Sequence, residues 1–308
     1  MNNSIKVYPP GTIANLVCGF DVLGLCLHQP CDEMEVTLTR SKQVIIKRAD
    51  GFDLPSDPAL NTAGAPLLEI LQHLNDDTGF EVLIKKNIKP GSGIGSSAAS
   101  AAGAVVAANY LLGNIFSKKE MVSFAMFGEK VASGVKHADN VAPCIYGGIT
   151  LIRSIFPLDI VSIPAPPLFV TVVHPQIEVR TSDARQILKK QVLLKDAIRQ
   201  WGNIAGLVAG FMQNDYDLIS RSLEDVIIEP IRSILIPGFD EIKKRSMAAG
   251  ALGGGISGSG PSVFMLSKDE ATAAAVKAEM HKVYNDIPLD HHVYITKINT
   301  EGVRIKAD

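Results

Sequence analysis

The sequence predicts an α+β protein built in two parts. Three observations carry that expectation. Segments alternating apolar and polar residues at period two open the chain, as half-buried strands do. A glycine-rich loop then separates one such segment from an alanine-rich helical stretch. The second half alternates long helical stretches with short apolar strands, the pattern of a sheet covered by helices. At 308 residues the chain is long enough for two domains of ordinary size, each with its own core.

Taken in order, IKVYP, EMEVTLTRS and QVIIKR read as strands. Asn61 to Asn75 carries apolar residues at helical spacing, with Asn61 placed to cap the helix, and FEVLIKK returns to strand. The loop KPGSGIGSSAASAAG follows that strand, and Ser96 is expected to cap the helix that the alanines after it favour. Lys118 to Ser133 is a further helix, carrying Glu129 among Phe124, Phe127 and Val131. GITLIRSIFPLDIVSIPAPPLFVTVVHP reads as strands broken by prolines, with SIPAPP marking a junction. The division is placed near residue 155, giving parts 1–155 and 156–308. In the second part, Ser182 to Gln213 and Asp215 to Leu235 read as helical, and SVFMLS and HHVYITKIN as strands. No repeat or low-complexity tract interrupts this order.

Composition excludes several classes of function. Apolar residues make up 46% and charged residues 20%, the profile of a soluble globular protein. The formal net charge of -2 comes from 30 basic and 32 acidic residues without long like-charge runs, so no footprint for nucleic acid or an anionic membrane exists. Any anion is therefore met by a local site. Cys18, Cys26, Cys31 and Cys144 lack CxxC spacing or clustered histidines, and read as buried free thiols of a reducing cytosol. MNNSIKVYPPG lacks the basic start and apolar core of a secretory signal, and the run from Ser97 to Gly113 is too short to span a bilayer. A cytoplasmic location is expected.

PGSGIGSSAA matches neither common nucleotide fingerprint: the third glycine of GxGxxG is displaced, and the lysine of GxxxxGK[ST] is missing. What remains is the physics beneath those motifs, successive backbone N–H groups and the positive end of a helix dipole aimed at an anion. A tight turn of small residues is the plainer alternative.

Two companion segments add to the loop: PPGTIANLVCGFDVLGLCL at residues 9–27 and GALGGGISGSGPSVFML at residues 250–266. The three together, in this order, resemble the signature motifs of the GHMP small-molecule kinases. ANLVCGFDVLGL, GEKVASGVKHADNVAP, RTSDARQIL and EPIRSILIPGFDEIK bring the resemblance nearest to the members that act on homoserine, and extend it over essentially the whole chain. The resemblance implies an N-terminal nucleotide-binding domain and a C-terminal ferredoxin-like domain, with the active site in the cleft between them. It implies ATP-dependent phosphorylation of L-homoserine to O-phospho-L-homoserine, on the way to threonine, and a cytoplasmic homodimer.

Site residues follow from the same resemblance. Pro90, Gly91, Ser92, Gly93, Ile94, Gly95, Ser96 and Ser97 would wrap the ATP phosphates, and Asn61 matches a position in the adenine pocket. Ser97 and Glu129 match the hydroxyl and carboxylate that hold magnesium, a cation content with a few hard oxygen ligands. Arg185 and Arg232 correspond to the arginines on the substrate carboxylate, where a forked guanidinium suits a planar anion. Asn15, Asp21, His137 and Asp139 match positions around the amino and hydroxyl ends, with Thr181 and Gly258 nearby. Asp139 and Asn140 lie where some GHMP kinases carry a catalytic aspartate, but in the homoserine-directed members this region binds substrate, so no base is assigned.

Each residue has a plainer reading: Ser97 a capping hydroxyl, Glu129 a solvated helix face, Asp21 a turn cap, His137 a core histidine, the arginines surface charges worth under about 1 kcal/mol. It is the matches taken together that favour the site. One departure stands out, since the family usually has a glycine after ANL, often followed by proline, where this chain has Val17 and Cys18. Two rival functions keep part of the argument: a GHMP kinase for another small alcohol such as mevalonate or a sugar, and a catalytically silent sensor of nucleotide or amino acid.

Overall fold

The structure, a computed structural model, describes residues 3–50, 52–164, 166–179 and 181–306. Its strands are β1 (Ser4–Tyr8), β2 (Pro10–Ala14), β3 (Leu23–Cys31), β4 (Glu33–Thr39), β5 (Val44–Asp50), β6 (Gly79–Lys85), β7 (Ile149–Ile155), β8 (Leu158–Ile163), β9 (Phe169–Pro175), β10 (Gly253–Ile256), β11 (Val263–Ser267), β12 (His291–Lys297) and β13 (Arg304–Lys306). Its helices are α1 (Gly64–Leu74), α2 (Ser96–Leu111), α3 (Lys118–Ser133), α4 (Val141–Tyr146), α5 (Thr181–Gln186), α6 (Leu194–Gln213), α7 (Tyr216–Ser222), α8 (Glu229–Arg232), α9 (Phe239–Ala248) and α10 (Glu270–Asp286).

The strands form three sheets, ordered β13-β1-β4-β6-β5, β2-β3-β7-β8 and β10-β11-β9-β12. Only β5 with β6 pairs in parallel among the described strands. In the first sheet, Ile5, Val7, Met34 and Val36 alternate with exposed or half-buried neighbours and face the helices α1 to α3, as period two dictates. The third sheet is covered on both faces. Val170, Val172, Phe264 and Leu266 point toward the second sheet and α6, while Val173, Val263 and Met265 point toward α9 and α10. A strand buried on both sides reads as an unbroken apolar run, and SVFMLS does.

Helix α2 is the buried axis of the N-terminal half. Ala98, Ala99, Ala101, Ala102, Ala104, Ala107 and Ala108 are all buried, so the helix touches neighbours all round. It packs against β1, β2 and β4 as well as α1, α3 and α4. Small side chains allow that close approach from several directions at once.

The structure corrects several sequence expectations. The helix expected from Asn61 begins at Gly64, and Asn61 sits before it, its Oδ1 accepting from the N–H groups of Ala63 (2.8 Å) and Gly64 (3.2 Å). Ser96 is the first residue of α2 and not its cap: Gly95 holds the cap position at φ 69°, and the Ser96 hydroxyl donates to the Ile88 carbonyl at 2.8 Å. The stretch expected as one helix from Ser182 breaks into α5 and α6, because residues 189–193 between them are all exposed and offer no face to bury. The next one breaks at Asp225, whose carboxylate accepts from the N–H groups of Ile227, Ile228 and Glu229 and so competes with helical bonding.

The division near residue 155 falls inside the β7–β8 hairpin, which pairs Ile149 with Ile163 and Ile155 with Leu158. The prolines follow that hairpin, so the chain leaves the second sheet at residues 164–168. β13 also returns to pair with β1, Val7 opposite Ile305, which joins the end of the chain to the first sheet. The four cysteines are free and buried, as their spacing predicts. Among the described residues, no helix is long and apolar enough to cross a membrane.

Gly128 lies in α3 where that helix crosses α2. A Cβ there would lie 2.4 Å from the Thr62 carbonyl oxygen and 2.6 Å from Ala101 Cβ. Gly128→Ala is therefore expected to lower the unfolding free energy by about 1–3 kcal/mol, despite alanine's better helix propensity, as read by denaturant titration. A more stable variant would contradict this packing.

Candidate active site

The glycine loop runs from the end of β6 into α2; conformation requires all three of its glycines, and space requires Gly93 and Gly95 as well. Gly91, Gly93 and Gly95 adopt φ of 73°, 81° and 69°. A Cβ on Gly93 would lie 2.5 Å from the Gly260 carbonyl oxygen, and one on Gly95 would lie 2.0 Å from Thr12 Oγ1. The loop carbonyls are taken by the protein. Ser262 N–H donates to Ser92 O (3.3 Å), Ser257 Oγ to Gly93 O (2.7 Å) and Thr12 N–H to Ile94 O (3.1 Å). With those carbonyls turned outward, and with the first N–H groups of α2 lacking intrahelical acceptors, the loop is a cradle of donors at the positive end of a dipole.

Beneath the loop lies a buried ion pair. Lys86 Nζ donates to Asp32 Oδ2, to the Ser96 carbonyl (2.8 Å) and to Ser100 Oγ (3.0 Å). Asp32 Oδ1 accepts from the N–H groups of Asn87 and Ile88, both at 2.8 Å. The charges are paired and their remaining hydrogen-bonding capacity is met, which is what makes a buried pair tolerable. The pair fixes where the loop starts and where α2 begins.

At the mouth of α2, Ser97 meets Glu129 from α3. Glu129 is 5% exposed, and its Oε1 is buried without a hydrogen-bond partner. Burial raises its carboxyl pKa, opposed by a hydrogen bond from Ser97. Asp139 stands close by, also buried. Asn140 Oδ1 accepts from Thr12 Oγ1 at 2.8 Å, tying the 137–140 segment to the strand that holds the loop.

The opposite end of the cleft is charged. Arg185 Nη2 donates to Asp21 Oδ1 at 2.6 Å and lies 3.4 Å from His137 Nδ1. Arg232 is 3% exposed and fixed by bonds from Nε to the Ala184 carbonyl (3.0 Å) and from Nη1 to the Gly258 carbonyl (3.1 Å). Both guanidiniums lie over the Phe20 ring, at 5.4 Å and 4.9 Å from its centroid. Asn15 spans the two halves: its Nδ2 donates to Gly258 O at 2.9 Å, and its Oδ1 accepts from Asp21 N–H at 3.0 Å. The backbone here is unusual. Asn15, Leu16, Val17 and Asp21 all have positive φ, 75°, 41°, 66° and 61°. Val17 thus holds the left-handed geometry for which the family's glycine is suited, at a cost of about 1–3 kcal/mol that the surrounding core offsets.

One cavity of about 520 Å³ joins these groups. Asn15, Asp21, Pro90, Gly91, Gly93, Gly95, Ser96, Ser97, Glu129, His137, Asp139, Asn140, Arg185, Arg232 and Gly258 all line it. Three expected residues do not. Asn61 is 2% exposed and occupied with capping α1 and with the Pro55 carbonyl, so its neighbour Thr62 faces the cavity instead. Ile94 is buried in the core behind the loop, and Ser92 is 1% exposed with its hydroxyl unpartnered. The Thr181 side chain lies outside the described residues. Phe20, Lys86 and Glu178 also line the cavity without having been singled out from sequence. Phe20 left a signal in GFD, an aromatic beside an acid. Lys86 left none, because its partner is far away in the chain.

Burial, then Asp21 and Glu129, push the Asp139 carboxyl up to about 8, against the pull of Arg185. His137 is lowered by burial and by Arg185, so it is neutral at pH 7. Arg232 is brought down to about 10 by burial and by Arg185, and remains a cation. An unfolded aspartate titrates near about 3.9, so between roughly pH 4 and pH 8 the native state holds the extra proton and stability falls as pH rises. Asp139→Asn removes that titration. In thermal melts of ligand-free protein, the variant's melting temperature is expected to gain on wild type steadily across that window; parallel curves would remove the assignment.

Comparison with known proteins agrees with this geometry. The profile "GHMP kinases N terminal domain" matches residues 61–148, and "GHMP kinases C terminal" matches residues 207–286. The chain is 46% identical to a homoserine kinase of Chloroherpeton thalassium over 97% of its own length and 98% of the relative's. It is 39% identical to a homoserine kinase of Methanocella arvoryzae, over 98% and 97%. The crystal structure of homoserine kinase from Cytophaga hutchinsonii superposes with a TM-score of 0.95 at 48% identity, covering 99% of this chain and 98% of that one. The chain therefore belongs to the GHMP kinase family, and within it to the homoserine kinases.

Proposed function

We propose that the cleft binds ATP along the loop 90–97 and L-homoserine against Asp21, Arg185 and Arg232, and transfers the γ-phosphoryl group to the substrate's side-chain hydroxyl. The products are ADP and O-phospho-L-homoserine, an intermediate toward threonine. One observation carries this reading: a single cavity holds a cradle of backbone donors at one end and two arginines with an acid at the other. The first suits a phosphate chain, and the second suits an amino acid.

The transfer is direct and in line, because a loose phosphoryl-transfer transition state asks mainly for positioning and charge stabilisation. The loop amides and the dipole of α2 meet the negative charge that develops on the phosphate. Arg232, fixed by two carbonyls, holds the substrate carboxylate, and Asp21 with Asn15 receives the ammonium. Asp139, protonated in the ligand-free cleft at neutral pH, is a poor base there, and no base is assigned. The unpartnered Glu129 Oε1 beside the Ser97 hydroxyl is a hard-oxygen pair that fits a divalent cation. Among the described residues, no three His, Cys, Asp or Glu side chains cluster as ligands, so the protein's share of such a site is small. We assign the cation as magnesium, which when bound neutralises charge on the nucleotide phosphates. A cytoplasmic setting suits the four buried thiols, and a homodimer suits the exposed apolar face of α6, where Ile198 and Trp201 are 56% and 59% exposed.

ADP release in a coupled assay with magnesium-ATP is expected with L-homoserine and not with mevalonate or galactose; turnover with another alcohol alone would displace the amino-acid assignment. Ser97→Ala and Glu129→Gln should each lower kcat on the order of 100-fold, since preorganised charge contacts act mainly in the transition state. Near-normal turnover in both would remove the metal assignment. Arg232→Lys should raise the homoserine KM more than the ATP KM, because the fork is lost along with its two carbonyl anchors. Equal effects would count against its role.

A further inference from the structure

The cleft pairs with each other two groups that the substrate reading, on which this inference rests, assigns to opposite ends of the amino acid. Arg185 and Asp21 meet at 2.6 Å, with 30% and 33% of their side chains exposed, so a ligand can reach both. Arg185 also keeps a buried Nε without an acceptor, an unused donor on the same guanidinium. The neighbouring arginine is held differently. Arg232 is anchored by the Ala184 and Gly258 carbonyls and does not need Asp21 for its place. Asp21 is held through its own N–H by Asn15, so its position does not depend on Arg185.

We propose that the Asp21–Arg185 ion pair is a latch exchanged for the two charges of the substrate, which makes ammonium and carboxylate bind only together. A carboxylate held by Arg185 as well as Arg232, with no ammonium beside it, takes Arg185 from Asp21 and leaves that acid uncompensated beside the buried Asp139. An ammonium without a carboxylate must take Asp21 from Arg185 and leave two guanidiniums side by side over the Phe20 ring. Removing one partner of a partly desolvated pair costs the stranded charge its compensation. A zwitterion strands neither, because each group it displaces is given a new partner of the same sign as the old one. The pocket thereby rejects hydroxy acids and amino alcohols that would fit its shape, a selection that works by penalty on the wrong ligand as well as by contact with the right one.

The test uses two homoserine analogues that each lack one charge, γ-hydroxybutyrate and propanolamine. Their affinities for the ADP-loaded protein are measured by titration calorimetry in wild type, Asp21→Asn and Arg185→Met. If the latch operates, both analogues bind wild type weakly. γ-Hydroxybutyrate then tightens on the order of tenfold in Asp21→Asn, and propanolamine by a similar factor in Arg185→Met, as a coupling between two subsites requires. The absence of either gain overturns the exchange. ADP binding by each variant reports that the cleft has folded, and Asp21→Ala replaces Asp21→Asn if the amide variant fails that check. Homoserine-dependent ADP release by wild type is scored separately. If wild type phosphorylates homoserine but the gains are missing, the latch alone falls; if it does not, the substrate reading falls.

Discussion

The carbonyls of Ser92, Gly93 and Ile94 accept hydrogen bonds from two sides, from Thr12 of β2 and from Ser257 and Ser262 of the turn that links β10 and β11. That clamp turns the peptide units of the loop so that their N–H groups are available to the cleft. It also explains why three segments far apart in sequence behave as one site. β2 supplies one jaw, the turn at 257–262 the other, and Gly93 and Gly95 admit no Cβ without striking one of the two. The cradle of backbone donors is thus a tertiary feature, assembled from both halves of the chain, although its sequence lies in one run.

The position of the clamp rests on α2. A helix buried on all sides and built of alanine, glycine and serine lets β1, β2 and β4 approach on one side and α1, α3 and α4 on the other. The same closeness brings Glu129 of α3 to Ser97 at the start of α2. Below them, the Asp32–Lys86 pair locks the end of β6 to the first residue of the helix. The missing phosphate-loop lysine is therefore not replaced by another in the loop. A lysine does lie beneath it, but its charge is spent on Asp32 and on the Ser96 carbonyl.

Much of this was legible in the sequence, and the limits have physical reasons. Period-two segments marked β1, β4 and β5, and the helix expected from Lys118 to Ser133 is α3, which the structure closes with a Ser117–Glu120 capping box. Glycine spacing located the cradle. What could not be read were choices made by partners distant in the chain. Asn61 looked like a ligand or a cap, and its two backbone donors and the Pro55 carbonyl make it a cap. Asp225 reads as an ordinary helical residue until its carboxylate is seen gathering three backbone N–H groups. Lys86 and Asp32 carry no local pattern, because an ion pair between separate strands is set by topology alone. The prolines did mark the passage between sheets, yet the hairpin before them belongs with β3, which only the ladder of pairs reveals.

The pairing of β13 with β1 bears on how the chain is made. Strand β1 is made long before the strand it pairs with, β13, with Lys6 opposite Lys306 and Tyr8 opposite Arg304. Until β13 is made, β1 pairs only with β4 and its outer edge is open. A long-range closure of this kind is slow to form and leaves an edge that other nascent chains can join. Completion of the sheet thus waits on a strand far along the chain.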